Sequence, residues 1–458
     1  MAVQVVMARL LAPEQFGALA VMLVFVNLGN VVVQSGLNTA LIQSSEADDA
    51  DFSTVFWMSL VVSAVLYTVI FLAAPFLARF YMMPGIVWPL RALGLLLIVN
   101  AYNAVQVAKV TRDLQMRKLF RATMASVALS ALTGVSSAFA GAGLWALVAQ
   151  QLVYQVVNCI VLAAQIEWRP RAVFRVNRAR ELFGFGWRLL ASGLLDQGYQ
   201  SLADLVVGKQ FSPVKLGLVS QGKKYPQAIG SMLDGAIQPV MLSAVSRVQD
   251  DPSRVKRLVR RALKTSTFLI APAMTLFACL APTLVPVLLG PQWADAVPFM
   301  QVYCIVYALL PIHTTNLQAL NGMGRSDLFL GLELLKKAYG VTILLFCAFV
   351  LRDVRALVMS YLVTGVVSTF VNAWPNKRVI GYSYSEQIRD VAPAFLLSAT
   401  AAIVVMSVAS IGLDAWLAIF AQVIVFAIVY LGLSSVLRLE PFIYLLRSAN
   451  GFFSSRLH

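Results

Sequence analysis

Three charged residues lie inside a stretch of the chain that is otherwise apolar enough to cross a bilayer. They are Arg188, Asp196 and Asp204, in the apolar part, 183–207, of residues 183–230. Placing such a charge at the centre of a membrane costs about 3 kcal/mol on insertion scales, so charges kept at this depth usually line a cavity or a pathway. The Arg188 guanidinium could bind an anionic group as a bidentate fork, with Asp196 as counter-charge or proton site.

A polar stripe accompanies these charges on one face of the predicted helix, within a sector of about 120°. The stripe consists of Arg188, Ser192, Asp196, Tyr199 and Gln200. A cavity wall requires such a face. Two alternatives stay open for Arg188: it pairs with Asp196 and only joins helices, or it extends to the cytoplasmic interface from the start of the helix. Asp204 lies near the far end of the helix and is predicted to be structural.

A second charged group occurs in a later apolar segment. Glu333, Lys336 and Lys337 have i, i+3 and i, i+4 spacing, so Glu333 can neutralise one lysine and leave one positive charge. A lysine that faces a cavity could contact a phosphate. The alternative is that both lysines extend to the interface, because they lie only about 8–13 Å into the helix.

Two lysines, Lys223 and Lys224, open a predicted helix over residues 222–245 from the periplasmic side. At the periplasmic mouth of a pathway they could attract an anionic substrate. Simple solvation is the favoured alternative, because exposed charges at helix ends seldom do more.

Amide side chains in the first half of the chain offer hydrogen bonds for sugars. The set consists of Asn27, Asn30, Gln34 and Asn38 at helical spacing, together with Arg91, Asn100 and Asn103. Asn30 and Arg91 are the members predicted to face the cavity. Intramembrane amides more often join helices, at about 0.6 kcal/mol per hydrogen bond.

The composition defines the class of protein that holds these residues. The chain has 458 residues, 59% of them hydrophobic and 12% charged, which predicts an all-α polytopic membrane protein without a large soluble domain. The net charge of +15 is concentrated in short gaps between apolar runs. This pattern follows the positive-inside rule, predicts a cytoplasmic C-terminus, and gives no indication of nucleic-acid binding.

Apolar segments of spanning length predict about fourteen helices, the first of them partial. The thirteen full segments are 16–42, 54–78, 87–108, 119–140, 144–166, 183–207, 222–245, 263–289, 295–319, 328–350, 354–374, 391–411 and 415–437. The run before Arg9 is too short to span about 30 Å of hydrocarbon, and it lacks the pattern of a signal peptide.

Three motif pairs occur in the same order along the chain and predict a parallel duplication. They are Pro13-x-x-Phe16-Gly17 with Pro213-x-x-Leu216-Gly217, Ala74-Pro75 with Ala281-Pro282, and Ala146-Leu147-Val148 with Ala356-Leu357-Val358. We therefore predict two six-helix lobes and two additional C-terminal helices. The predicted domains are the N-terminal lobe 1–166, a basic cytoplasmic linker 167–182, the C-terminal lobe 183–374, the additional helices 391–437 and a cytoplasmic tail 438–458.

Several kinds of chemistry find no support in the residues. The only histidines are His313, inside an apolar segment, and His458 at the end, and the four cysteines lack metal-ligand spacing. No glycine-rich phosphate loop follows a strand. We predict no catalytic residue, no metal and no cofactor. Energy for transport must then come from an H⁺ or Na⁺ gradient, a partner or the substrate gradient.

A set of motifs resembles the landmarks of the polysaccharide-transporter family of oligosaccharide flippases, in the superfamily that also contains multidrug and lipid II exporters. The motifs are ARLLAPEQFG at Ala8–Gly17, SGLNTALIQ at Ser35–Gln43, the Phe56–Trp57 pair, GLWALVAQ at Gly143–Gln150, WRPR at Trp168–Arg171, FGFGWRLLASGLL at Phe183–Leu195, Asp204-x-x-x-Gly208 and LSAVSRVQDD at Leu242–Asp251. The sequence departs from the family at the front, where the first helix is shorter.

The resemblance implies two six-helix lobes around a central cavity in the bacterial inner membrane. It also implies export of an undecaprenyl-diphosphate-linked oligosaccharide by alternating access, with membrane lipids, a polysaccharide polymerase and glycosyltransferases as partners. Two other hypotheses stay open. A small-molecule exporter of the same superfamily is one, although the many cationic residues favour an anionic substrate. A membrane polymerase or ligase is the other, and it would need a sizeable periplasmic domain.

Overall fold

Helices form almost the whole of the described chain. The computed structural model describes residues 2–34, 41, 48–409 and 411–454, but not the side chains of Arg188 and of a few other helical residues. Most of the Ser35–Gln43 motif, with Asn38, lies outside the described residues. Within them the elements are sixteen α-helices, two short 3-10 helices and one π-helical segment, with no strand. Their bounds are α1 Ala2–Leu10, α2 Pro13–Gln34, α3 Asp49–Phe80, α4 Val87–Arg112, α5 Met116–Phe139, α6 Leu144–Gln165, α7 Val176–Gln210, α8 Pro213–Ser246, α9 Pro252–Leu289, α10 Val297–Ala308, α11 Leu310–Gly322, α12 Ser326–Phe346, α13 Val354–Val379, α14 Tyr384–Ala409, α15 Ala415–Val436 and α16 Glu440–Ser454.

Twelve segments of the described chain are long and apolar enough to cross a membrane. They coincide with twelve of the predicted full spans, so the prediction of an all-α polytopic membrane protein is confirmed. The remaining predicted span, 183–207, lies within α7, which is 35 residues long. Its charged and polar side chains keep α7 outside the set of twelve. The total of about fourteen spanning helices stays a prediction.

Aspartates fix the starts of three long helices. Asp48 Oδ1 accepts the backbone N–H of Asp51 at 2.8 Å, and Asp51 Oδ2 accepts the N–H of Asp48 at 3.3 Å. This capping box at α3 satisfies two donors that have no partner inside the helix. Asp251 caps α9 by accepting two backbone N–H groups of the first turn, and Asp353 caps α13 by accepting the N–H of Arg355.

The chain divides into two compact units, Met1–Ser220 and Gln221–His458, with the boundary inside α8. In the first unit, α5 packs along α6, α3 along α4, and α2 against α4 and α7. In the second unit, α9 packs against α10, α14 and α15, and α13 packs against α11 and α12. The domain boundaries that the motifs predict stay a prediction.

The order of elements recurs along the chain in the way the motif pairs predict. Helices α2 and α8 both begin at a Pro-x-x-x-Gly motif. The helices that follow them, α3 and α9, are both capped by aspartate and both lead into a short 3-10 helix that starts with proline, at Pro84–Ile86 and Pro291–Ala296. Proline suits these starts because the first turn needs no N–H donor.

The basic linker is held against the first turns of α3. The backbone N–H of Arg171 donates to Ser53 Oγ at 3.1 Å. Asp51, only 2% exposed, forms ion pairs with Arg178 at 3.3 Å and with Arg175 at 3.5 Å. These contacts fix the approach of the chain to α7.

Candidate functional site

Helix α12 carries charged side chains inside an apolar segment. Lys336 Nζ lies 2.5 Å from Glu333 Oε1, and the two side chains are 15% and 26% exposed. This is the pairing that the i, i+3 spacing predicts. Lys337 is also half-buried. The segment therefore holds one carboxylate and two lysines that are all partly shielded from solvent, where an electrostatic interaction is stronger than in bulk water. A role for these residues in binding stays a prediction.

Asp234 is a further carboxylate in a membrane-spanning helix, and it was not among the predicted site residues. It lies half-buried in α8, where its carboxylate accepts hydrogen bonds from the Thr314 hydroxyl and from Gln238 Nε2, the latter at 2.5 Å. The signal was present in the sequence, because an acidic residue inside the predicted 222–245 span carries the same insertion cost as Asp196.

His313 lies in α11 beside Asn372 of α13, with 3.0 Å between His313 Nδ1 and Asn372 Nδ2. An amide nitrogen can only donate, so in this arrangement Nδ1 accepts and a neutral imidazole carries its proton on Nε2. In the part of the chain that the structure describes, no group of three His, Cys, Asp or Glu side chains forms a metal site.

A buried amide network joins three helices of the second unit. Asn316 of α11 donates to Gln387 Oε1 of α14 at 2.7 Å. Its own Oδ1 accepts from Asn376 of α13 at 2.6 Å and from Gln387 at 3.0 Å. All three residues are at most 1% exposed. The network serves to position α11, and with it Thr314 and His313.

Part of the predicted amide set of the first unit is engaged between helices. Asn100 Nδ2 donates to Asn30 Oδ1 at 2.7 Å, and thereby joins α4 to α2. Along the same helix, Asn103 Oδ1 and both amide atoms of Gln106 are buried without a hydrogen-bond partner among the described residues. A buried amide atom without a partner costs about 1–3 kcal/mol. This face of α4 therefore has unused capacity for polar groups, while sugar binding by Asn30 stays a prediction.

Arg91 is held inside the first unit by aromatic residues. Its Nε donates to the carbonyl oxygen of Phe71 at 3.1 Å, and its guanidinium lies 4.0 Å from the centre of the Phe71 ring and 4.9 Å from that of Trp88. These contacts orient the side chain on the surface that α3 and α4 form. Its predicted role in a cavity stays a prediction.

Helix α7 presents the polar stripe that the sequence predicts. Ser192, Asp196 and Gln200, each four residues apart, are exposed on it, and Tyr199 is half-buried. Asp204 is half-buried near the far end. Arg188 lies in this helix, but its side chain is outside the described part of the structure. The stripe could line a pathway, and the roles of Arg188, Asp196 and Gln200 stay predictions.

Lys223 and Lys224 are placed differently from the expectation. Helix α8 begins at Pro213, so both lysines lie inside the helix rather than at its opening. Both are half-buried. Helix α8 therefore begins nine residues before the predicted span, and simple solvation of the two lysines stays a prediction. Their role at a periplasmic mouth stays a prediction.

The fold is that of a known class of membrane transporters. The structure matches the lipid II flippase MurJ in its inward closed conformation with a TM-score of 0.78 and 11% identity, over 95% of this chain and 96% of that one. It also matches an inward-facing MATE-family multidrug resistance transporter of the MOP superfamily, with a TM-score of 0.63 and 14% identity, over 82% of this chain and 94% of that one. At these identities the likeness shows the fold alone.

The sequence defines the family within that class. The profile of the polysaccharide biosynthesis protein family matches residues 6–298, more than half of the chain. The chain belongs to this family, and the predicted family membership is confirmed.

Relatives in three bacteria agree with this assignment. The succinoglycan biosynthesis transport protein ExoT of Rhizobium meliloti is 26% identical over 70% of this chain and 65% of its own length, so just under two thirds of that protein is matched. The teichuronic acid biosynthesis protein TuaB of Bacillus subtilis is 21% identical over 82% of this chain and 78% of its own. The lipopolysaccharide biosynthesis protein WzxC of Escherichia coli is 21% identical over 86% of this chain and 80% of its own.

Proposed function

We propose that this protein is a flippase that moves a lipid-linked oligosaccharide to the periplasmic leaflet of the bacterial inner membrane. The observation that carries the proposal is the family match over residues 6–298. One relative is named as a succinoglycan biosynthesis transport protein, and this name supports a transport function. The proposed lipid carrier is undecaprenyl diphosphate, because its two phosphates offer the charge that intramembrane cations attract.

The proposal assigns the diphosphate to cations in the spanning helices. Lys336 and Lys337 of α12 are half-buried, and the carboxylate of Glu333 pairs with Lys336 and fixes its position. The nearby carboxylate also weakens the binding of the diphosphate. A transporter needs this limited affinity in order to release its cargo. Arg188 of α7 is a separate candidate contact in the first unit, and Asp196 and Gln200 lie further along the same helix.

Asp234 is the proposed residue for coupling to an ion gradient. A carboxylate in a spanning helix that accepts hydrogen bonds from Thr314 and Gln238 can exchange a proton or a sodium ion as its surroundings change. The protein acts in this proposal as a transporter and not as an enzyme. Glycosyltransferases supply its cargo, a polymerase consumes it, and the C-terminus faces the cytoplasm as the charge bias predicts.

The test follows lipid-linked oligosaccharide in spheroplasts of the organism that encodes the protein. After deletion of the gene, we expect the lipid-linked oligosaccharide to stay inaccessible to a membrane-impermeant glycan label. The surface polysaccharide should also be lost. Lys336→Gln should lower the labelled fraction about tenfold or more at normal protein levels, because a charge-assisted contact to phosphate is lost. Lys377→Gln, at an exposed lysine near the end of α13, is the matched control and should have no effect.

Gene deletion tests the proposed function, and the variants test the proposed binding residues. An unchanged labelled fraction after gene deletion would show that the flippase proposal is wrong. A normal labelled fraction in Lys336→Gln, with loss on deletion, would overturn only the assignment of Lys336. Arg188→Ala should abolish export, and Arg188→Lys should retain part of it because a lysine lacks the bidentate fork.

A further inference from the structure

A basic cavity lies in the second unit where α16 meets α9. It has a volume of about 380 Å³, and its lining includes Arg261 and Lys264 of α9, Arg438 before α16, and Tyr444 and Arg447 of α16. A second cavity of about 470 Å³ shares Arg261 and Lys264 and continues along α9. We call the two together the α9–α16 pocket.

The pocket has an excess of positive charge. Lys264 is neutralised, because its Nζ lies 2.8 Å from Glu440 and 3.2 Å from Asp390. Glu440 is the one carboxylate in the lining of the two cavities. Among the described residues no carboxylate forms an ion pair with Arg261 or Arg447. Both guanidinium groups are exposed, and Arg261 lies 5.0 Å from the centre of the Tyr444 ring.

Helix α16 places this charge beside apolar surface. Arg438 has a left-handed backbone, with φ 48°, and turns the chain from α15 into α16. Phe442 and Leu445 pack into the core cluster around Phe268. Leu446, one turn beyond Phe442, is 49% exposed. A short helix with one packed apolar face, exposed leucine and arginines at its edge is typical of a helix that lies in the membrane interface.

We propose that the α9–α16 pocket binds the phosphodiester headgroup of an anionic phospholipid. Planar guanidinium groups bind phosphate through paired hydrogen bonds, and basic pockets at helix ends bind lipid headgroups. The exposed apolar side chains beside the pocket favour a lipid over a soluble phosphate, because acyl chains need such a surface. The site uses none of the residues assigned to transport in α7, α8 and α12, so it does not depend on the proposed function.

The test measures phosphatidylglycerol retained by the purified full-length protein in native mass spectrometry, with phosphatidylcholine as the neutral comparison. Arg261→Gln combined with Arg447→Gln should weaken phosphatidylglycerol binding about thirtyfold, since each basic residue near an anionic headgroup contributes roughly a factor of five. Arg117→Gln combined with Arg121→Gln, at two exposed arginines of α5, is the matched control and should bind normally.

A further variant should change lipid binding in the opposite direction. Glu440→Gln removes the one negative charge from the lining while Lys264 keeps Asp390 as a partner, so it should tighten phosphatidylglycerol binding about fivefold. The proposal would be overturned if the Arg261/Arg447 variant bound the lipid as the wild type does, or if the Arg117/Arg121 control lost as much binding as that variant. Weaker binding by Glu440→Gln would overturn it as well. Displacement of the lipid by inorganic phosphate or by farnesyl diphosphate would also overturn it, in favour of a soluble anion or an isoprenyl diphosphate.

Discussion

Gly17 and Gly217 meet in a reciprocal contact within the first unit. A Cβ atom built on Gly17 would come 1.8 Å from the carbonyl oxygen of Pro213, and one built on Gly217 would come 1.9 Å from the carbonyl oxygen of Pro13. The two Pro-x-x-x-Gly motifs, which the sequence pairs as copies of each other, therefore pack backbone against backbone. Close approach through small residues is a common mode of helix packing in membranes.

The contact predicts that Gly217→Ala is poorly tolerated. A methyl group at this distance from a helical carbonyl forces the backbone to move, which typically costs about 1–3 kcal/mol. The melting temperature in detergent should fall accordingly. Gly85→Ala is the control, because nothing lies within 4 Å of its Cβ and the substitution should be neutral or stabilising. Equal melting temperatures for the two variants would contradict the packing.

The linker contacts predict that Asp51→Ala is more damaging than Asp49→Ala in the same turn. Asp51 is 2% exposed and pairs with Arg175 and Arg178, so its removal takes a buried carboxylate from both arginines, which keep only Asp48 and Glu181 as more exposed partners. We expect a loss of about 1–3 kcal/mol, less than for a fully buried pair because both arginines reach solvent.

Asp49 provides the matched control because its carboxylate is 43% exposed and pairs with Lys109. Loss of such an exposed pair should cost about 0.2–1 kcal/mol. Thermal unfolding of both variants in the same detergent measures the difference. A larger effect from Asp49→Ala would show that the linker contacts of Asp51 do not carry the stability of this region.

The amide network predicts a large effect for Asn316→Ala. The substitution removes the partner of Gln387 and Asn376 and leaves their amides buried, which costs about 1–3 kcal/mol for each group left without a partner. Thr315→Val is the control at an equally buried neighbour, because the Thr315 hydroxyl bonds only the Pro311 carbonyl of its own helix. Thermal unfolding should separate the two variants, and similar melting temperatures would show that the network adds little.

The hydrogen bonds to the Asp48 carboxylate predict that part of the protein's stability is lost at acid pH. The N–H of Asp51, with help from Arg175, lowers the pKa of the Asp48 carboxyl from its usual 3.8. Because the pKa is lower in the folded protein, the stabilisation is present above about pH 4 and is lost as the pH falls through the folded pKa. Between about pH 5 and about pH 3, the melting temperature of Asp48→Asn should therefore decrease less than the melting temperature of the wild type. Parallel curves would contradict the prediction.

The fold could be predicted from the sequence because its strongest signals are local. Runs of about twenty apolar residues locate the spanning helices, and the Pro-x-x-x-Gly motifs identify α2 and α8 as equivalent. The same motifs do not reveal that Gly17 packs against Gly217, since contacts between distant residues depend on the fold. The start of α8 was placed too late, because the polar residues between Pro213 and Lys224 resemble a loop by composition.

The candidate site was predicted only in part, for a related reason. The Glu333–Lys336 pair follows from spacing within one helix and is present. Arg91 meets Phe71 because α3 and α4 lie side by side, which no pattern within α4 encodes. Asp234 lies inside the predicted 222–245 span, but its hydrogen bond from Thr314 joins two helices, which no pattern within one helix encodes.

The linker contacts also set the timing of assembly. Ser53 and Asp51 find partners 118 and 127 residues further along the chain. A ribosome adds about 5–20 residues per second, so roughly 6–25 s separate the synthesis of these residues from that of Arg171 and Arg178. Helices α1 to α6 are complete before this edge of α3 can close. The nascent chain must therefore keep Asp51 without its arginine partners for that whole interval.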